Sequence, residues 1–152
     1  MNRRMILRVL GYILLIYAAL MLLPLLAALC FRESPLPLLI PLLLSAALGF
    51  LLTRPRPRSS TLFARDGFVI VGVGWILISL IGALPFTLSG ALPHFVDALF
   101  ETASGLSTTG ASVVTDLDAM PRGVLFWRMF SHWIGGMGVL VFLMAVLPMS
   151  GE

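Results

Sequence analysis

From Val9 to Phe31 the chain carries no charged side chain, and that run decides the solvent in which everything else must fold. At about 1.5 Å per residue, a helix of this length crosses a hydrocarbon core about 30 Å thick. Inside lipid, backbone polar groups must satisfy one another, which restricts spanning segments to helices and closed barrels. Arg3, Arg4 and Arg8 precede the run. A signal peptide shares that basic start, but its apolar region is shorter, about 7–15 residues, and ends at small residues. The run therefore reads as a retained helix.

After Arg32 and Glu33 the chain turns through Pro35 and Pro37 into a second apolar run, Leu38 to Leu52. Pro41 is expected in its first turn, where a missing N–H costs nothing. Arg54-Pro-Arg-Pro-Arg58 ends this helix, since alternating prolines block helical bonding and arginine is costly in hydrocarbon. A basic Pro-rich loop can also dock partners, but a cytoplasmic stop accounts for it. A third span is expected from about Gly67 to Leu88, with Gly72, Gly74 and Gly82 allowing close helix approach and Pro85 kinking or ending it. A fourth runs from Val124 to Leu147.

Composition agrees: with 59% hydrophobic and 11% charged residues, 152 residues could not hide their apolar surface in one soluble core. The single cysteine, Cys30, rules out an intrachain disulfide. The net charge is only +3, and the arginines cluster at the ends of apolar runs, a topology signal rather than a nucleic-acid footprint. Arg3, Arg4, Arg8, Arg54, Arg56, Arg58 and Arg65 fall on one side, against Arg32, Arg122 and Arg128 on or near the other. The positive-inside rule then places the N-terminus in the cytoplasm. Arg65 and Asp66, at the cytoplasmic end of the third span, are expected to be solvated or capping.

Between the third and fourth spans lies His94-Phe-Val-Asp-Ala-Leu-Phe-Glu-Thr-Ala-Ser-Gly-Leu-Ser-Thr-Thr-Gly-Ala-Ser112. It reads as a helix too short to span, followed by a loop too rich in Gly, Ser and Thr to remain helical. Irregular backbone at membrane depth is tolerated only where it lines water or is buried in protein. Its freed carbonyls can find their partner in a dehydrated cation, Gly110 can take the positive φ that aims them, and the helix's carbonyl end favours positive charge.

The segment Ala98-Leu-Phe-Glu-Thr-Ala-Ser-Gly-Leu-Ser-Thr-Thr-Gly-Ala-Ser112, followed by Trp127-Arg-Met-Phe-Ser-His-Trp-Ile-Gly-Gly-Met-Gly138 and Leu147-Pro148, closely resembles the first pore loop and following helix of the Trk/Ktr/HKT potassium transporter family, in its bacterial TrkH/TrkG branch. The family commonly has Thr where this chain has Ser107 and Ser112. The resemblance implies an all-α polytopic membrane protein: two N-terminal transmembrane helices over 1–58, then one helix–re-entrant pore loop–helix repeat over 59–152. The pore helix would occupy about 94–105 and the filter about 106–112. Backbone oxygens of Thr108, Thr109, Gly110 and Ala111 would form one quarter of a potassium filter, with no cofactor and no catalytic chemistry. It further implies a bacterial inner-membrane location, a homodimer, a cytosolic nucleotide-binding regulatory subunit (TrkA-like), and three further pore repeats. This chain matches about the first third of a family member, so it is expected to be a piece of a longer protein, with assembly of four copies the alternative. Passive channels, proton symporters and sodium symporters share these features.

Other residues carry expectations of their own. Asp97 and Glu101, spaced i,i+4, share a helix face; Glu101, one turn from the loop, is expected to be buried and to bond backbone behind it. Asp116 and Asp118 should face outside water, enriching cations there or forming a plain turn. Arg128 is expected to snorkel to the outer interface. His132 lies deeper, where it could sense pH but is better read as a neutral histidine bonded to a neighbouring helix. Trp127 and Trp133 are expected at the interface or in packing, and Gly135, Gly136 and Gly138 to allow close approach to the loop. Two other function classes fit parts of the pattern. An intramembrane hydrolase would need Ser104 or Ser107 within reach of His132, but no Gly-x-Ser-x-Gly elbow or His-Glu-x-x-His motif is present. A structural or assembly domain would need no conducting loop at all.

Overall fold

The computed structural model describes residues 3–54 and 64–146, and among these every regular element is an α-helix. They are α1 (Arg3–Leu20), α2 (Leu22–Cys30), α3 (Leu36–Thr53), α4 (Ala64–Leu88), α5 (Phe95–Leu106) and α6 (Arg122–Val146). Arg56 and Arg58 of the expected stop, and Leu147 and Pro148, lie outside the described residues. Among the described residues three stretches are long and apolar enough to cross a membrane: Arg3–Cys30, Leu36–Thr53 and Arg65–Leu88. Large apolar side chains such as Ile16, Phe31, Leu51, Phe68 and Ile76 point outward, each about 60% exposed. Water would not tolerate such a surface, but lipid solvates it; the chain is a membrane protein.

The first apolar run is one span in two pieces. Pro24 has no N–H to offer the Leu20 carbonyl, so the helix is interrupted at Met21, although Met21 N–H still bonds the Tyr17 carbonyl at 3.0 Å. α2 ends in a Schellman motif with Arg32 left-handed at φ 56: Arg32 N–H bonds the Leu29 carbonyl and Glu33 N–H the Ala28 carbonyl. Pro41 does not lie in the first turn of its helix, and Pro85 does not end its own. α3 begins at Leu36, so Pro41 sits in its second turn, buried, and the helix continues through it. α4 likewise runs past Pro85 to Leu88, where Thr87 and Ser89 hydroxyls bond the Leu84 and Phe86 carbonyls. Neighbouring helices stabilise what proline weakens.

Lipid gives no hydrophobic drive for helix association, so close packing must come from small residues and polar groups. α1 and α3 cross at Gly11 and Gly49, where a Cβ on either would stand 2.8–2.9 Å from the other's carbonyl oxygen. The Ser45 hydroxyl bonds the Leu14 carbonyl at 2.8 Å nearby. A second node joins α1, α4 and α6. Tyr17 donates to the Ile78 carbonyl and Trp127 to the Gly82 carbonyl, both at 3.0 Å, with the two rings edge-on at 5.5 Å. Trp127 is therefore a buried packing residue, whereas Trp133 is exposed and stacks on Phe130. Asp66, expected to be solvated or capping, is buried at 1% exposure in the first turn of α4, against the solvated role.

Replacing Gly49 by Leu should cost about 1–3 kcal/mol through overpacking against α1, read as unfolding in detergent micelles. Gly72→Ala, where an added Cβ meets nothing within 4 Å, should leave stability unchanged. Equal losses for both would contradict the crossing as described.

Candidate functional site: the loop after α5

α5 buries Ala98, Glu101, Thr102 and Gly105, the i, i+3, i+4, i+7 spacing of one helical face. That face lies on α4 and α6. An added Cβ at Gly105 would stand 2.8 Å from the Ser131 hydroxyl oxygen and 3.3 Å from the His132 ring. Gly135 lies directly against the Leu106 carbonyl, the last residue of α5, and no side chain would fit between them. At about 1.5 Å per residue, Gly135 is about 20 Å along α6 from Arg122. The chain thus enters beside the end of α4, runs inward for the length of α5, and returns to the same end of the bundle at Arg122.

The turn at the bottom is a second Schellman motif. Thr108 N–H bonds the Gly105 carbonyl and Thr109 N–H the Ser104 carbonyl, both at 3.0 Å, with Thr108 left-handed at φ 56. A β-branched residue in this region is a genuine outlier, and such strain persists only where surroundings over-determine it. Gly110 is also left-handed, at φ 78. Ser107 and Thr109 hydroxyls bond each other at 2.7 Å, and the Thr108 hydroxyl bonds the Ser107 carbonyl. Among the described residues no hydrogen bond reaches the carbonyls of Thr108, Thr109 or Gly110, and all three residues are exposed. The Ala111 carbonyl differs: the Ser104 hydroxyl donates to it at 2.6 Å, leaving one lone pair.

Behind this loop stands Glu101, 2% exposed. Its carboxylate accepts from the Ser112 hydroxyl at 3.1 and 3.0 Å, from Val113 N–H at 3.1 Å, and from Arg128 Nε at 2.6 Å. The expected burial and backbone bond of Glu101 are both present. Arg128 requires correction: instead of snorkelling outward it forms an ion pair, its side chain 14% exposed against 1% for Glu101. The Asp97 carboxylate takes no hydrogen bond among the described residues. Asp116 forms a plain exposed turn, accepting from the N–H groups of Asp118 and Ala119.

His132 bonds its own helix rather than a neighbour. Its Nδ1 lies 2.9 Å from the Arg128 carbonyl, which can only accept, so Nδ1 carries hydrogen. No hydrogen bond among the described residues joins it to Ser104 or Ser107, whose hydroxyls serve the loop. The nucleophile–base geometry of a hydrolase is therefore not formed. No group of three His, Cys, Asp or Glu side chains among the described residues could hold a metal.

Sequence reasoning missed Glu33. From the turn between α2 and α3 its carboxylate accepts Arg122 N–H at 2.7 Å and Gly123 N–H at 2.9 Å, capping α6 across 89 and 90 residues of chain. The acid beside a helix terminus was visible, but its partner was not.

Removing one partner of a buried pair leaves an uncompensated charge. Glu101→Ala should therefore cost about 3–5 kcal/mol, and Glu101→Gln with Arg128→Met should recover much of it. Unfolding titrations of Glu101→Gln, Arg128→Met and their double read the coupling. Additive losses would contradict the pairing.

Residues 38–152 match the TrkH family, described as cation transport proteins. Over 99% of its length the chain is 39% identical to the Trk system potassium uptake protein TrkH of Halomonas elongata and 37% identical to that of Escherichia coli K12. It is 37% identical over 97% of its length to TrkG of the same E. coli strain. The chain spans about a third of each relative: 32%, 32% and 31% of their lengths. With the family matched across most of the sequence, the chain belongs to the TrkH family of cation transport proteins.

Proposed function

We propose that this chain supplies one quarter of the selectivity filter of a potassium uptake transporter. The observation that carries the reading is the set of exposed, unbonded carbonyl oxygens at Thr108, Thr109 and Gly110. They sit where α5 ends and are braced from behind by Glu101 and Arg128. Oxygens so arranged can replace a monovalent cation's hydration shell, and the carbonyl end of α5 adds partial negative charge. Ala111 completes the set with its remaining lone pair. The identity to proteins named for potassium uptake supports potassium as the ion.

In this reading α5 and its loop are re-entrant, entering from the outside of a bacterial inner membrane, with the N-terminus of α1 in the cytoplasm, an orientation the arginine distribution supports. α4, α5 and α6 form the first repeat, and α1–α3 form an accessory helical pair outside the pore. Three further repeats of the same protein close the filter. The whole pairs as a homodimer with a TrkA-like nucleotide-binding regulator on the cytosolic side.

A chimera in which this chain replaces the aligned third of Halomonas elongata TrkH should restore growth of potassium-uptake-deficient cells at low potassium. Gly110→Ser in that chimera should abolish or de-select uptake, because φ 78 is strained for any L side chain; unchanged complementation would count against the filter. The 152-residue chain alone in liposomes should give no potassium flux. Robust barium-sensitive flux there would instead support four copies around one pore.

A further inference from the structure

We infer that Glu33 is a positioning residue through which the accessory helices set the placement of α6 and, with it, the loop after α5. Its consequence for transport rests on the filter reading above; its structural test does not.

Three observations converge. The Glu33 carboxylate spends both oxygens on the first N–H groups of α6, at 2.7 and 2.9 Å, so the negative charge stands where the helix dipole is positive. Beside it Gly123 of α6 lies against Ala28 of α2, where a Cβ on Gly123 would stand 2.5 Å from the Ala28 Cβ and 3.0 Å from its Cα. Around this join Ala28, Leu38, Met120 and Val124 are buried in the apolar core, and a cavity of about 630 Å³ opens beside them between the turn at Glu33–Leu38 and segment 118–124. Six residues further along α6, Arg128 bonds Glu101, and Glu101 bonds Ser112 and Val113. The path from Glu33 to the loop is continuous: carboxylate, α6, guanidinium, carboxylate, loop backbone.

Glu33 could matter merely by capping α6, and a local cap separates the two roles. Pro121 is the N-cap residue, its carbonyl accepting Leu125 N–H at 2.8 Å. Pro121→Asp would supply an N-cap acceptor from within α6, preserving the helix without tying it to the turn between α2 and α3. The experiment follows amide hydrogen exchange by NMR on the 152-residue chain in lipid nanodiscs. Glu33→Gln should speed exchange at Val113 about tenfold, the factor for losing one charge-assisted bond. Glu33→Gln with Pro121→Asp should restore protection at Gly123 but not at Val113. Restored protection at both, or faster exchange confined to Arg122 and Gly123, would overturn the inference. Because the double variant keeps α6 capped, it decides the matter even if Glu33→Gln alone unfolds. In the chimera, the double variant should lose potassium-over-sodium discrimination. A parent chimera with no uptake would count against the transport reading alone, leaving Glu33 to the exchange data.

Discussion

The loop after α5 keeps its shape because one buried carboxylate has a partner at every turn. Exposed ion pairs contribute about 0–1 kcal/mol, and a buried pair recovers its desolvation cost only when its remaining lone pairs are filled. Glu101 meets that condition, with Arg128 on one side and Ser112 and Val113 on the other. The bonds tie α5, α6 and the returning chain at one point. Strain at Thr108 is tolerable because the segment on both sides is fixed: the Schellman bonds before it, and Ser112 and Val113 after it.

Small residues set how deep this assembly sits. Gly105 and Gly135 let the end of α5 lie against the middle of α6, and Gly82 lets Thr102, Tyr17 and Trp127 meet on α4. In each case a glycine brings a backbone carbonyl or hydroxyl into contact that a side chain would block. Polar groups then lock the contact, as expected where lipid gives no hydrophobic drive. α1 joins α3 and α4 through the same devices, Gly11 on Gly49 and Tyr17 on Ile78.

Much of this was legible in the sequence, for identifiable reasons. Apolar runs marked the spans, and the cluster of Gly, Ser and Thr marked the end of α5 at Leu106. Glu101 was foreseeable as a buried group because its helical position puts it one turn from the loop. Its ion pair was not, since Arg128 lies near a span end, where snorkelling is the usual outcome, and the two meet only once α5 folds back on α6. Glu33 was silent for the same reason: a capping acid usually serves the helix beside it, and this one serves α6. Pro41 misled, and Pro85 does not end α4, because proline reports a local cost, whereas packing against neighbours decides whether the helix continues.

Thallium, a heavy monovalent stand-in for potassium, gives the most direct measurement: anomalous scattering from crystals of the assembled pore containing this chain. The account predicts peaks against the main-chain oxygens of Thr108, Thr109 and Gly110, abolished by excess potassium. Peaks confined to acidic side chains such as Asp116, with none at the loop backbone, would contradict it.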